Sequence, residues 1–128
     1  MALTNSASSK TYAAASTGVA PFLFGAVASE STVDLNSIEK TRGLVVFQND
    51  ILATGDLVEC MANEVGEETY ITAGGVYSVG QVVKSSTGGK AIAIAATGDL
   101  AQGILREAST ADGDIVRMEF LGGVYWST

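Results

Sequence analysis

The sequence predicts a mainly β protein, folded as a small barrel or sandwich with an extended N-terminal arm. Its composition favours short strands, because 15 glycines and one proline accompany a hydrophobic content of 47 % in 128 residues. Aliphatic runs of strand length recur between turn residues at fairly regular intervals. A Gly-Asp-aliphatic pattern also occurs three times, as "ATGDLV" at 53–58, "ATGDLA" at 96–101 and "DGDIVR" at 112–117.

The first 20 residues, "MALTNSASSKTYAAASTGVA", consist almost wholly of small side chains, with one charge and one aromatic ring. Such a segment buries too little apolar surface to offset its own ordering entropy. We therefore predict a flexible arm over 1–20 and a single β domain over 21–128. The arm is either a frayed terminus or a segment that orders against a partner, where short side chains let a backbone pair as an added strand.

Two strands and a hairpin are predicted in the first part of the β domain. The β-branched run "LVVFQ" at 44–48 is one strand, and "LVECM" at 57–61 is another, with Val58 and Cys60 on one face. An acidic loop, "NEVGEE", follows at 63–68. The runs "TYITA" and "VYSVGQVV" flank Gly74-Gly75, a spacing typical of a two-residue hairpin turn.

Three further strands are predicted towards the C-terminus. "KAIAIAA" at 90–96 alternates Ala with Ile, so its periodicity indicates a strand. "LAQGILREA" at 100–108 is predicted as a strand rather than a short helix, because Gly103 disfavours a helix interior. In "IVRMEFL" at 115–121, one alternating set of side chains is the predicted core face: Val116, Met118 and Phe120.

Each Gly-Asp pair is predicted to be a structural corner that starts a strand. Gly tolerates positive φ, and Asp accepts hydrogen bonds from nearby backbone. The six corner residues are Gly55, Asp56, Gly98, Asp99, Gly113 and Asp114. Asp112 and Asp114 resemble the start of a calcium-binding loop. The residues that follow them lack the further oxygen ligands and the closing Glu that such loops need, so turn residues are predicted instead. The two "ATGDL" copies suggest internal duplication, although the residues that follow them differ.

We predict no catalytic, cofactor or metal site, and no enzymatic activity. The chain has no His, which removes the commonest general base and His-ligated metal sites. Cys60 lies in an alternating apolar strand and is predicted to be a buried, inert thiol. The glycine-rich pieces "AGG" and "TGG" match no phosphate-binding fingerprint. The sequence leaves a Ser–Lys catalytic pair open as an alternative, since several serines accompany Lys84 and Lys90.

Charge and hydropathy exclude two classes of partner. The formal net charge of −7 opposes binding to a phosphate backbone, so no nucleic-acid partner is expected. No apolar run reaches the length of a membrane helix, and the N-terminus lacks the pattern of a signal peptide. We expect no membrane partner. We also expect the protein to be synthesised in the cytoplasm.

Residues 76–123 carry a family resemblance. Their order of Gly-Gln-Val-Val, a loop, Ala-Thr-Gly-Asp, Gly-Ile-Leu and finally Gly-Asp-Ile-Val-Arg-Met-Glu-Phe resembles the capsid cement, or head-decoration, proteins of tailed bacteriophages. The resemblance implies a mostly β domain, a small β-barrel or a β-tulip-like sandwich. It also implies a homotrimer on the outside of the icosahedral head that clamps neighbouring capsid subunits.

The resemblance predicts a structural virion protein that binds the outer surface of an assembled capsid and stabilises it. Its partners would be the major capsid protein and further copies of itself, and its location the capsid surface after synthesis in the host cytoplasm. Capsid-binding candidates in the arm are Leu3, Thr4, Lys10 and Tyr12. The alternatives are an adhesion or glycan-binding module, with Tyr70, Tyr77, Tyr125 and Trp126 as aromatic candidates, and a small hydrolase.

Overall fold

The computed structural model describes residues 9–15, 17–37 and 44–126. Within these ranges all regular elements are β-strands, which confirms the predicted mainly β fold. The strands are β1 (Ser9–Ala14), β2 (Phe24–Val27), β3 (Thr32–Leu35), β4 (Val45–Phe47), β5 (Leu57–Ala62), β6 (Glu68–Thr72), β7 (Val82–Ser85), β8 (Ala91–Ala93), β9 (Leu100–Leu105) and β10 (Ile115–Tyr125).

The first five strands form a closed barrel in the order β1-β3-β2-β4-β5. Strand β1 closes it, because it runs parallel to β3 on one side and antiparallel to β5 on the other. The interior is filled by side chains from several strands: Ala14, Val33, Val45, Phe47, Val58 and Cys60. Closure leaves this barrel without a free strand edge.

The last five strands form a second sheet in the order β6-β10-β9-β7-β8. A single parallel bridge between Ala73 and Ala91 joins its two outer strands at one end. Its core face packs against the outer wall of the barrel, in one cluster that includes Phe24, Val46, Ile71, Val83, Met118 and Phe120. The barrel wall and the second sheet therefore share a hydrophobic core.

Strand β4 is buried on both of its faces. Val45 and Phe47 point into the barrel, whereas Val46 packs on the second sheet. All three side chains are buried, with exposures of 0 to 4 %. A strand covered on both faces has no polar positions, which explains the continuous "VVF" run.

For the described residues 9–15 and 17–20, the structure corrects the prediction of a flexible arm over 1–20. Residues 9–14 form β1, whose Ser9–Ala13 segment pairs with Leu57–Met61, and Ala14 is 2 % exposed. Val19 is also tied down, by a bridge to Ile51. Ala14 lies in the barrel interior, and the segment from Ser9 to Ala14 forms part of the barrel wall rather than a free arm. Leu3 and Thr4 lie outside the described residues.

The predicted hairpin at Gly74-Gly75 is wrong. Strand β6 pairs with β10, whereas β7 pairs with β8 and β9. The reason is non-local: the backbone N–H and C=O of Ala73 are already taken by Asp114 and Gly113, at 2.7 and 2.8 Å. The chain after Gly75 therefore continues to Tyr77, which bridges to Ser109.

The other predicted strands are present with altered bounds. The run at 90–96 forms only the three-residue β8, and the run at 100–108 forms β9 as a strand, not a helix. Strand β10 continues past residue 121 to Tyr125. Its pairing with β9 shifts after Phe120, where Gly122 and Gly123 adopt φ of 81° and 70°. Val116, Met118 and Phe120 are buried, as the alternation predicted.

Replacement of Gly25 by Ala is expected to destabilise the protein by about 2 kcal/mol, because an added methyl overpacks the barrel interior. A Cβ at Gly25 would lie 2.5 Å from Cζ of the Phe47 ring and 3.2 Å from the Asp34 carbonyl oxygen. Gly88→Ala is the matched control, since its nearest neighbour would be the Ser86 hydroxyl at 3.9 Å. Urea unfolding of the two variants measures the difference, and equal midpoints would contradict the packing described here.

Candidate functional site

Five corners in the described part of the chain share one construction. In each, a glycine with φ between 90° and 99° donates its N–H to the carbonyl of a residue far away in the sequence. The residue that carries this carbonyl donates its own N–H back to the residue after the glycine. The five sets are Gly55-Asp56 with Ala14, Gly66-Glu67 with Phe120, Gly80-Gln81 with Leu105, Gly98-Asp99 with Trp126, and Gly113-Asp114 with Ala73. Each corner is thus clamped to a residue far away in the sequence by two backbone hydrogen bonds.

Three of the five corners carry the Gly-Asp pair that the sequence repeats. In each, the aspartate Oδ2 accepts backbone N–H groups from the residues three and four positions earlier: Ala53 and Leu52 for Asp56, Ala96 and Ala95 for Asp99, Ala111 and Thr110 for Asp114. The corners at Gly66 and Gly80 lack an Asp, so the Gly-Asp repeat of the sequence does not mark them. Glycine with a positive φ is their common signal.

These hydrogen bonds account for two lowered pKa values. The backbone N–H groups of Ala96 and Ala95 lower the pKa of Asp99 to about 2, and the ion pair with Lys84 contributes as well. The backbone N–H and hydroxyl of Thr110 lower the pKa of Asp114. Both carboxylates are engaged by their own turns, so the geometry is that of a structural corner.

Asp99 differs from the other two because it also holds a buried cation. Its Oδ2 lies 3.1 Å from the Lys84 ammonium, and the two side chains are only 7 % and 11 % exposed. Gln102, fully buried on the neighbouring strand β9, accepts a hydrogen bond from the Asn63 amide, whose Oδ1 in turn accepts the Gly122 N–H at 3.0 Å. The second sheet therefore contains a buried polar network as well as an apolar core.

A groove runs along the outer edge of β6, where the barrel and the second sheet meet. Its volume is about 540 Å³, and the barrel contributes Gln48 and Met61 to its lining. Gln48 is held in place because its amide donates to the Val46 carbonyl and to the Thr69 hydroxyl, both at 3.0 Å. Tyr70, 50 % exposed, meets the ring of Phe22 edge-on at a centroid distance of 5.9 Å.

Charge around the groove is mainly negative. Glu67 and Glu68 line it, and Arg117 is the cation among its lining residues. Arg117 itself lies 3.8 Å from the carboxylate of Glu107. The groove therefore combines two carboxylates and a partly neutralised guanidinium with an apolar contact surface.

The predicted capsid-binding residues of the arm differ in their exposure. Lys10 is exposed on β1, opposite Cys60, whereas Tyr12 packs against the barrel core and is half-buried. Ser9, at the described start of the chain, pairs with Met61, which lines the groove. The N-terminus thus enters the described structure beside the groove.

The structure also places the groups that could carry chemistry. Burial, with a smaller contribution from Glu59, raises the pKa of the Cys60 thiol to about 12, so the thiol stays protonated at neutral pH. No three residues among His, Cys, Asp and Glu cluster as a metal site in the described part of the chain. Nor do these same ranges hold a helix long and apolar enough to cross a bilayer.

The four aromatic candidates for glycan binding do not behave alike. Tyr70 lines the groove, and Tyr125 is 65 % exposed near the end of β10. Tyr77 packs against the shared core, so its ring is partly covered. Trp126 is half-buried, and its backbone is clamped to the Gly98-Asp99 corner.

The fold has a counterpart among solved structures. No protein-family model matches the chain, and no curated protein matches it. The crystal structure of the head fiber gp8.5 N base in bacteriophage phi29 is similar, with a TM-score of 0.63 and 17 % sequence identity. The match covers 90 % of this chain and 94 % of that one. The likeness therefore spans both the barrel and the second sheet.

Proposed function

We propose that this chain is a structural protein of a bacteriophage head, which binds the outer surface of the assembled capsid and stabilises it. The observation that carries the proposal is the fold shared with the head fiber base over 90 % of the chain. The resemblance of residues 76–123 to head-decoration proteins points independently to the same class of role.

The physical character of the molecule suits such a role. A protein that stabilises a shell needs a rigid body and a binding surface, and it requires no catalytic group. Five clamped corners and a core shared between barrel and sheet supply rigidity. Binding only to the assembled state shifts the assembly equilibrium by mass action, and small contact energies add up over many copies.

The proposed partners are the major capsid protein and two further copies of this chain. A homotrimer follows from the family resemblance, and strands β6 and β8, the two outer strands of the second sheet, gain by being covered. The proposed location is the outer surface of the capsid after synthesis in the host cytoplasm.

Mixing the purified protein with expanded heads of the phage that encodes it tests this function. We expect the protein to sediment with expanded heads in saturable amounts, to bind unexpanded shells far less, and to raise the temperature at which heads release DNA. Cryo-electron microscopy of the mixture should show density outside the shell. Binding to host cells or glycans without binding to heads would overturn the proposal in favour of an adhesion module.

A further inference from the structure

We propose that the groove beside β6 takes an extended, positively charged peptide segment, which adds to β6 as a further strand. This inference rests on the proposed function in one respect: the segment would belong to the capsid shell. The binding mode itself rests on three features of the described residues, namely the free strand edge, the charge around it and the dimensions of the groove.

Strand β6 is the outermost strand of its sheet, next to β10. At the two ends of this pairing, the Glu67 carbonyl accepts the Phe120 N–H and the Ala73 N–H donates to the Asp114 carbonyl. Because hydrogen bonds alternate along an antiparallel pair, the even-numbered residues 68, 70 and 72 direct their backbone groups away from β10. The N–H of Thr72 donates to the Phe22 carbonyl at 2.8 Å, which closes one end of the edge.

The remaining edge groups face the groove. At the groove-lining residues Glu68 and Tyr70 they are two N–H groups and two carbonyls, of which the Tyr70 carbonyl also accepts the Thr69 hydroxyl at 3.1 Å. Alternating donors and acceptors are the pattern with which an added strand pairs.

The charge of the occupant follows from the lining. Glu67 and Glu68 lie in the groove, Glu64 is exposed on the loop before it, and Arg117 is partly neutralised by Glu107. The chain as a whole has a formal charge of −7. Lysine or arginine side chains on the incoming segment would be attracted, whereas acidic segments would be repelled.

The dimensions limit the length of the contact. A strand rises about 3.3 Å per residue, so the free edge at 68–70 pairs with a segment of roughly three to five residues. Tyr70 and Met61 offer apolar contact to the side chains that point inwards. A contact this short is weak alone, and it gains strength when several copies engage one shell.

Two pairs of variants separate the backbone and charge contributions. Tyr70→Pro removes the ring and an N–H that points away from β10, while Tyr70→Val removes the ring and keeps the N–H. The double change Glu67→Lys with Glu68→Lys reverses the charge of the groove. Glu30→Lys changes the charge at an exposed loop of the barrel and serves as its control. Circular dichroism establishes that each variant is folded.

The probe is a capped peptide, acetyl-KTKVKTK-amide, titrated into the isotope-labelled full chain and followed by amide NMR. We expect saturable shifts centred on Glu68, Thr69 and Tyr70, slower hydrogen exchange at the Tyr70 amide, and loss of binding when Glu replaces Lys in the peptide. Tyr70→Pro and the double reversal should each weaken binding by about tenfold, and Tyr70→Val and Glu30→Lys much less.

Absence of saturable shifts at these amides, or equal binding by Tyr70→Pro and Tyr70→Val, would overturn the proposal. So would shifts at the same amides with maltotriose and none with the peptide, which would assign the groove to a glycan. The same variants sedimented with heads separate the two inferences. If the wild-type protein and both groove variants bind heads equally, the groove is not the capsid-binding site and the proposed function still stands. If the wild-type protein does not bind heads, the proposed function is refuted, whatever the peptide titration shows.

Discussion

Deletion of residues 1–14 is expected to abolish the cooperative thermal transition, whereas deletion of 1–8 leaves the midpoint nearly unchanged. Strand β1 pairs with β3 and β5, so its loss opens the barrel on both sides. Ala14 also clamps the Gly55-Asp56 corner through two hydrogen bonds of 2.8 Å. The combined loss should reach about 5 kcal/mol or more, which is comparable with the total stability of a small domain.

Thermal melting by circular dichroism, with the two deletions side by side, is the measurement. The shorter deletion is the matched control, because it removes no described strand and still removes Leu3 and Thr4. Head sedimentation of that variant then shows whether these two residues contribute to capsid binding without a confounding loss of fold. A 1–14 deletion that melts like the intact chain would show that β1 is dispensable to the barrel.

Replacement of Asp99 by Ala should destabilise the protein by about 3 kcal/mol at neutral pH, because it leaves the Lys84 ammonium buried without its counter-ion. It also removes the acceptor of the Ala95 and Ala96 N–H groups. Asp56→Ala is a close control, since it removes the equivalent two turn hydrogen bonds from a corner at which the described residues form no ion pair. Urea unfolding should therefore give a clearly larger loss for Asp99→Ala, and equal losses would show that the ion pair is energetically silent.

The pH dependence of this loss provides a second readout. The pKa of Asp99 falls from an ordinary 3.8 to about 2 in the folded protein. Its stabilisation is therefore fully present above the unfolded value, and it is lost as the pH falls from 3.8 towards 2. The difference between wild type and Asp99→Ala should shrink over that interval. A gap that stays constant down to about pH 2 would mean that the carboxylate is not the source of the effect.

Local pattern was sufficient for the strands that alternate strongly. Val58 and Cys60 on β5, and Val116, Met118 and Phe120 on β10, are buried as their spacing predicted. Burial of one face is a property of neighbouring residues in the chain, since side chains of a strand alternate between its faces. Such segments predicted the mainly β class, as a small barrel or a sandwich, and the structure contains a closed barrel together with a second sheet.

Partner choice could not be predicted in the same way. The local pattern of the "TYITA" run is sufficient to predict a strand. Its pairing with β10, however, depends on hydrogen bonds between Ala73 and the distant Gly113-Asp114 corner. Two of the five clamped corners were missed for a related reason. Their Glu67 and Gln81 have no local turn preference as strong as that of Asp, and only the clamping strand reveals the shared construction.

The sequence by itself determined the strands of β5 and β10, the apolar face of each, and the three Gly-Asp corners, because these depend on side chains within a few residues of one another. The tertiary structure alone decided that the Ala-rich N-terminus closes a barrel, that Lys84 finds Asp99, and that β6 keeps a free edge beside Gln48 and Met61. Small side chains carry little hydrophobic signal, yet they fit where strands crowd together. Ion pairs and grooves arise between residues far apart in the chain, so local sequence pattern does not encode them.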